Sequence, residues 1–373
     1  MRRRLRLGVA LGLVLASLSL YPAPALAHPV TDPELPTPPR ARPEPIPFNV
    51  YEATLYGSIS PALADVPFRV YVPNSNSNTV TVIDPRTLAV VDRFQVGQIP
   101  HHVTPSWDMG TLYVDNEGSS TLTVLDIHSG KPAATIPVPF PYNLYFTPDG
   151  TKAIVVVERL RRLDFRDPHN WWLLKSVNIP WPGADHLDFS ADGRYLLIST
   201  EWSGMVAKVD TERMELVGSV STGGLPIDVK LSPDGRLFYV SDQGKNGVHV
   251  IDGEAMREVQ FIPTGRGAHG LQISRDTRSL FVSNRLAGTI SVIDFATRQV
   301  GANWQVGGSP DMMQLSPDGS QLWMTSRFNG WVIIVNAATG GELGRVYAGP
   351  GAHGLSYFPN AGRYSTGHNG VYR

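Results

Sequence analysis

Residues 225–265 read LPIDVKLSPDGRLFYVSDQGKNGVHVIDGEAMREVQFIPTG. Four short apolar runs follow one another here: PIDVKLS, RLFYVS, GVHVID and REVQFIP. A PDG turn, a polar loop and a short turn separate them. Apolar residues alternate within the runs, and Val, Ile, Phe and Tyr are frequent, which predicts four β-strands. The PDG turn or a variant of it ends near Gly110, Gly150, Gly193, Gly235, Thr277 and Gly319, at intervals of 40, 43, 42, 42 and 42 residues. Four strands recurring at that period are the pattern of a β-propeller blade.

Counting outward from this copy predicts an all-β, seven-bladed propeller over residues 68–358. Units holding the second to fourth strands begin near 68, 111, 152, 194, 236, 278 and 320. First strands begin near 101, 142, 184, 226, 268, 310 and 352. The last first strand has no partners after it, and the first three-strand unit has no first strand before it. The two halves complete one blade, so a C-terminal innermost strand closes the ring and removes the open sheet edges. The copy at 152–179 departs most, with RLRRLDFRDPHNWW where others carry TVTVID. Its Trp171 and Trp172 are expected between blades.

The flanks read differently. Residues 1–27 carry Arg2, Arg3 and Arg4, an apolar run from Leu7 to Leu20, and Ala25-Leu26-Ala27, the three parts of a signal peptide. Residues 28–47 form a proline-rich tether, 48–67 an N-terminal extension and 359–373 a C-terminal tail. Removing residues 1–27 takes away four arginines and leaves 28 basic against 33 acidic residues, a net charge of −5. That balance argues against nucleic-acid binding, which needs a basic face. With no cysteine in the chain, thiolate metal sites and covalent c-type heme are excluded. The signal peptide predicts a secreted or periplasmic protein, and no span of bilayer length is expected in the mature chain.

The tetrapeptides YVPN at 71–74, YVDN at 113–116, YVSD at 239–242 and FVSN at 281–284, with TVTVID, TISVID and LSPDG, carry a family resemblance. The chain resembles the YVTN or YncE-like propellers. The resemblance implies the fold over about 68–358. It implies little about activity, because similar repeats occur in lactonase-like and surface-layer proteins and, more distantly, in propellers that carry heme d1 or copper.

Function is sought where blades depart from one another. The first strands start with His101-His102, Tyr142-Asn143, Asp185-His186, Ile227-Asp228, His269-Gly270, Asp311-Met312 and His353-Gly354. These pairs ring the mouth of the central channel on the face opposite the PDG turns, here called the top. The next top loops are aligned as Asn74, Asn116, Glu158, Glu201, Asp242, Asn284 and Arg327. Five of the ten histidines fall in seven equivalent dipeptides. His101, His186, His269 and His353 are therefore the candidate metal ligands, for copper or zinc. His102 is expected to point away from His101, since neighbours along a strand face opposite ways. Asp185, Glu201, Asp311 and Arg327 are candidate ligand-binding residues. His368, in the tail, and His28, at the new N-terminus, are weaker candidates.

The leading expectation is an exported propeller whose histidine-rich top pocket binds a transition metal or a small ligand, a metal-dependent enzyme being one form of it. The alternatives are a non-catalytic module that binds another exported protein or the cell wall, and a lactonase-like hydrolase. No nucleophile elbow, HExxH, P-loop or dinucleotide fingerprint is present to name a reaction.

Overall fold

The computed structural model describes residues 48–55 and 57–373. The segments read as signal peptide (1–27) and tether (28–47), with His28, lie outside the described residues. The described chain forms 28 strands in seven four-stranded antiparallel sheets. Blade 1 is closed as the repeat count requires. Ser356–Phe358 pairs with Arg69–Asn74, so the end of the ring supplies the innermost strand of its first blade. Blades 2 to 7 have the innermost strands Pro100–Pro105, Asn143–Phe146, Ala184–Phe189, Pro226–Leu231, Ala268–Ile273 and Pro310–Leu315.

Alternation within the strands explains how the sheets stack. Inward residues of neighbouring blades meet in seven separate apolar clusters, one per inter-blade gap. Tyr71, Val80 and Val82 of blade 1, for example, pack with Val103, Leu112 and Val114 of blade 2. Outer strands are largely exposed, as in Ala89–Gln95. In the aberrant third blade Trp171 is buried against Tyr113, with ring centroids 5.0 Å apart. Trp172 does not join it. The tight turn after Asn170 turns it outward, and it is 74% exposed.

The tetrapeptide repeat has a visible job in this ring. In five blades the innermost strand slips by one residue against its neighbour, between Pro100 and Val103, Ala184 and Leu187, Pro226 and Val229, Ala268 and Leu271, and Pro310 and Met313. Each slip is a β-bulge in which two residues oppose one. The single opposing residue is the third of the tetrapeptide: Asp115, Ser199, Ser241, Ser283 or Thr325. Where it is Ser, its hydroxyl accepts from a bulge N–H of its own blade, as with His186, Asp228 and Gly270. The same hydroxyl, or that of Thr325, donates to a carbonyl of the next blade: Ile227, His269, Asp311 or His353. Where it is Asn, the fourth residue donates to two hydroxyls of the third strand, Thr79 and Thr81 for Asn74.

The tail does not lie across the outside. It enters the channel from the bottom as a hairpin. Ser365 N–H donates to the Trp107 carbonyl, Phe146 N–H to Thr366 and His368 N–H to Leu144, which carries the tip upward along blade 3. The tip is Gly367–Gly370, closed by a Gly370 N–H to Gly367 carbonyl bond of 3.0 Å. Gly367 has φ +100°, and a β-carbon there would lie 2.5 Å from the Leu144 oxygen, so only glycine fits. Residues 48–55 cross the bottom face, where the Tyr51 hydroxyl donates to the Leu231 carbonyl at 3.0 Å.

Both flanking segments meet at Asp188. Its carboxylate accepts from Arg373 Nη2 at 2.6 Å and from Leu231 N–H at 2.7 Å, and the Arg373 guanidinium lies 5.7 Å from the Tyr51 ring. Asp188 and Arg373 are both buried. Removing one partner of a buried pair leaves an uncompensated charge, so Asp188→Ala should cost about 3–5 kcal/mol. Chemical denaturation read by tryptophan fluorescence checks this; a loss below about 1 kcal/mol would show that the tail is not anchored by this pair.

Candidate functional site

The bulge decides where the ring dipeptides go. Two residues opposite one cannot alternate as in a regular strand, and both side chains of His101-His102 are buried at the channel, 7% and 0% exposed. The expectation that His102 turns away is therefore corrected. The ring residues sort into two tiers. His101, Tyr142, Asp185, His269, Asp311 and His353 form the upper tier under the mouth. His102, Asn143, His186 and Asp228 lie below them, where the tip of the tail arrives.

The lower tier holds a cluster of imidazoles. One ring nitrogen from each of His102, His186 and His368 lies within 4.8 Å of the other two, and all three residues are buried. The ring centroids of His186 and His368 are 4.6 Å apart, and those of His102 and His368 4.7 Å. Surrounding amides orient the rings. The Asn369 Oδ1 lies 3.0 Å from His102 Nδ1, and the Asn143 side chain lies 3.0 Å from His368 Nδ1. His102 Nε2 has no hydrogen-bond partner. Neither do the His186 ring nitrogens, although Asp185 Oδ1 is 2.8 Å from His186 Nδ1, out of line for a hydrogen bond. Gly354, next to His353, makes room for this cluster. A β-carbon there would fall 2.4 Å from Asn369 Oδ1 and 2.6 Å from His102 Nδ1.

Three upper-tier histidines are engaged otherwise. His101 and His353 face each other, Nδ1 to Nδ1, at 2.9 Å. The His101 Nε2 lies 3.2 Å from Glu117, which Arg159 clamps at 2.8 Å. On the far side, His269 Nδ1 lies 2.9 Å from Asp311, and Arg285 contacts both His269 and Asp311. The structure thus brings His186 into the imidazole cluster and leaves His101 and His353 as a pair above it. His269 is held apart in an ion network. His353 still lies close to the cluster, with its ring centroid 4.8 Å from that of His102.

Above the cluster opens a cavity of about 190 Å³ lined by Tyr142, Asp185, Glu201, His269, Arg327 and His353, with Glu158, Trp202 and Arg285. The top-loop row differs from the sequence alignment. Asn116 pairs with Pro100 as Thr200 pairs with Ala184 and Ser326 with Pro310. The residue after each is the one that reaches the mouth, so the row reads Glu117, Glu158, Glu201, Gln243, Arg285 and Arg327. Sequence reasoning missed Glu117 and Arg285 because it aligned tetrapeptides without their pairing register. It ranked His368 only as a weaker candidate because the tail lies outside the repeat, although GHNG between RYST and VYR is itself a hairpin signal.

Burial sets the protonation of these groups. It pushes His102, His353 and His368 well below the ordinary histidine value. His186 adds to this for His102 and His368, and Arg327 for His353. His101 is lowered by burial against the pull of Glu117, and His269 falls to about 4 through burial and Arg285. His186 runs the other way: burial opposes its charge, but Asp185 overrides it. Burial and Asp185 push Glu201 up to about 8. Burial works against the charge of Glu117, yet His101 and Arg159 hold it down at about 2. Most of the imidazoles are thus neutral near pH 7, the form that binds metals.

No helix of the described residues is long and apolar enough to cross a membrane. No curated protein matches the chain. Solved structures similar to it include Kuenenia stuttgartiensis hydrazine synthase, at 20% identity and a TM-score of 0.61, covering 70% of this chain and 91% of that one. Dihydro-heme d1 dehydrogenase NirN, solved in complex with DHE, has 17% identity and a TM-score of 0.61, covering 78% and 75%. A functionally unknown protein from Desulfotomaculum acetoxidans has 15% identity and a TM-score of 0.68, covering 78% and 98%. Likeness at these identities is likeness of fold. The profile described as YNCE-like beta-propeller matches residues 50–363, and the chain belongs to that family.

Proposed function

We propose that this chain is an exported propeller that holds one transition-metal ion, copper or zinc, on His102, His186 and His368, beneath a cavity that admits a small ligand. The carrying observation is the convergence of three buried imidazole nitrogens within 4.8 Å of one another. Three support points follow from chemistry. Imidazole suits zinc and copper. Three protein ligands are the number that holds the ion in catalytic zinc sites. Asn369 and Asn143 orient two of the rings, as outer partners of metal-bound histidines do. A bound ion would polarise a ligand oxygen or activate water. The protein's part is to keep His102 and His368 neutral, aim the three rings, set the Asp185 carboxylate against His186, and line the approach with His353, Asp185 and Tyr142. Residues 1–27 support export.

A second reading, a module that docks another exported protein, is favoured by the rim of the mouth. Leu160, Trp202, Leu286 and Phe328 stand exposed on four top loops, at 44%, 58%, 53% and 67%.

The metal reading is tested by elemental analysis of the purified full-length chain after loading with copper or zinc and dialysis. One ion per chain is expected. His186→Ala and His368→Ala should each weaken retention at least about tenfold, while His269→Ala leaves it unchanged. A folded wild-type protein that retains no ion, or wild-type retention in the two cluster variants, would overturn it.

The electrostatics give a separate expectation. His269 titrates near 4 in the fold and near the ordinary 6.5 when unfolded. Between those values the unfolded chain binds the extra proton, so this residue's stabilisation is complete above 6.5 and is lost as the pH falls toward 4. His269→Gln keeps an acceptor for Arg285 and should flatten the stability profile in that window by about one proton. Denaturation midpoints of both proteins between pH 4 and 7 measure the difference; parallel profiles would show that His269 is not held neutral.

A further inference from the structure

The cavity wall opposite Asp185 carries an imbalance of charge. Asp311, fully buried, is engaged by Arg285 Nη2 at 2.5 Å and His269 Nδ1 at 2.9 Å. Arg327 lines the same cavity, but its nearest carboxylate oxygen is Asp311 Oδ2, 3.9 Å away. That separation is too long for a hydrogen bond. Arg327 Nη1 and Asp311 Oδ2 are both buried without a partner, as is Arg285 Nε. Two guanidinium groups thus stand against one carboxylate. A buried polar group without a partner destabilises the fold, and more so when it is charged. The geometry calls for something that supplies negative charge and acceptor oxygens from the cavity side.

The other wall fits the same ligand. Glu158 accepts from the Trp202 indole at 2.9 Å, and Asp185 Oδ1, buried without a hydrogen-bond partner, lies 2.8 Å from His186 Nδ1 as its counter-charge. The Glu201 carboxyl makes no hydrogen bond among the described residues and, pushed up to about 8, is mainly the neutral acid at pH 7. In that form it donates. A cation would meet both arginines. An apolar ligand would strand the guanidinium, Glu201 and Asp185 without water, and about 190 Å³ leaves space only for a compact molecule.

We propose that the cavity binds a small planar oxyanion, a carboxylate or an inorganic monoanion, clamped by Arg327 with Arg285 beside it and facing the imidazoles. A guanidinium fork matches two oxygens of such an anion, which a lysine ammonium does not. This rests on reading the cavity as a ligand site, but not on the metal. The anion's remaining oxygen would face His353 and the imidazole cluster, where a metal-bound ligand would also have to sit.

The test is calorimetric titration of the full-length protein with sodium acetate and with sodium nitrate, in a chelator-stripped and a zinc-loaded preparation. Saturable binding of at least one anion to stripped protein is expected. Arg327→Gln should weaken it at least about tenfold, and Arg327→Lys should recover only part of it. Because the Arg327 side chain makes no hydrogen bond among the described residues, both variants should fold as the wild type does, which circular dichroism verifies. Acetate alone would point to a carboxylate, nitrate alone to an inorganic oxyanion. Saturation in stripped protein that retains neither zinc nor copper would uphold the anion site and overturn the metal. Retained zinc with no saturation by either anion in either preparation would overturn the anion site alone. Equal affinity in wild type and Arg327→Gln would also overturn it, as would saturable binding of methylammonium in place of the anions.

Discussion

The site depends on a backbone irregularity, the bulge at the start of the innermost strands, where two residues stand opposite one. A regular strand would send one side chain of each dipeptide to the channel and bury the other between blades. The bulge sends both to the channel in blade 2, where His101 and His102 lie one above the other. Its main-chain groups would be left unpaired without help. Ser199, Ser241 and Ser283 supply it by accepting from their own bulge and donating to the next blade's. One hydroxyl therefore both permits the irregularity and links neighbouring blades. This gives a physical reason for a small hydroxyl residue in the third place of the tetrapeptide.

Once the dipeptides point inward, what fills the channel becomes decisive. A ring of seven sheets leaves an axial space that side chains alone do not fill. The tail occupies its lower part and is anchored at Asp188, toward the bottom end of the innermost strand Ala184–Phe189. The hairpin tip sets His368 beside His102 and His186, and Asn369 contacts the first two of these. The imidazole cluster is thus assembled from blades 2 and 4 and the last residues of the chain. Closure of the ring and completion of the imidazole cluster follow one another within residues 352–373.

The fold was legible because it rests on local rules repeated many times. Alternation, turn chemistry and a period near 42 residues give blade, count and closure without any long-range knowledge. The site was legible only in part. His101, His269 and His353 stand out because the other blades put Tyr142, Asp185, Ile227 and Asp311 at that point, and His186 stands one place further on in its own dipeptide. Their grouping does not follow from that comparison. Spacing along the chain cannot show that a one-residue bulge turns His102 inward. Nor can it show that Arg285 occupies the row of Glu201 and Arg327. His368 was the hardest to find, since it belongs to no repeat and reaches the cluster through a hairpin docked from the opposite face.

The paired copies GAHG at 267–270 and 351–354 show how equal sequences diverge in role. In blade 6 the neighbour across the gap is blade 7, whose Asp311 and the nearby Arg285 tie His269 into an ion network. The β-carbon denied at Gly270 would have met the Asp311 carbonyl at 2.4 Å. In blade 1 the neighbour is blade 2, which offers His101, and His353 becomes half of an imidazole pair. Here the missing β-carbon would have met His102 and Asn369. The repeat fixes the backbone position in both cases, and the next blade fixes the chemistry. A ring in which each inner residue is completed by its neighbour can thus carry an acidic wall, a basic wall and an imidazole cluster on one unchanging scaffold.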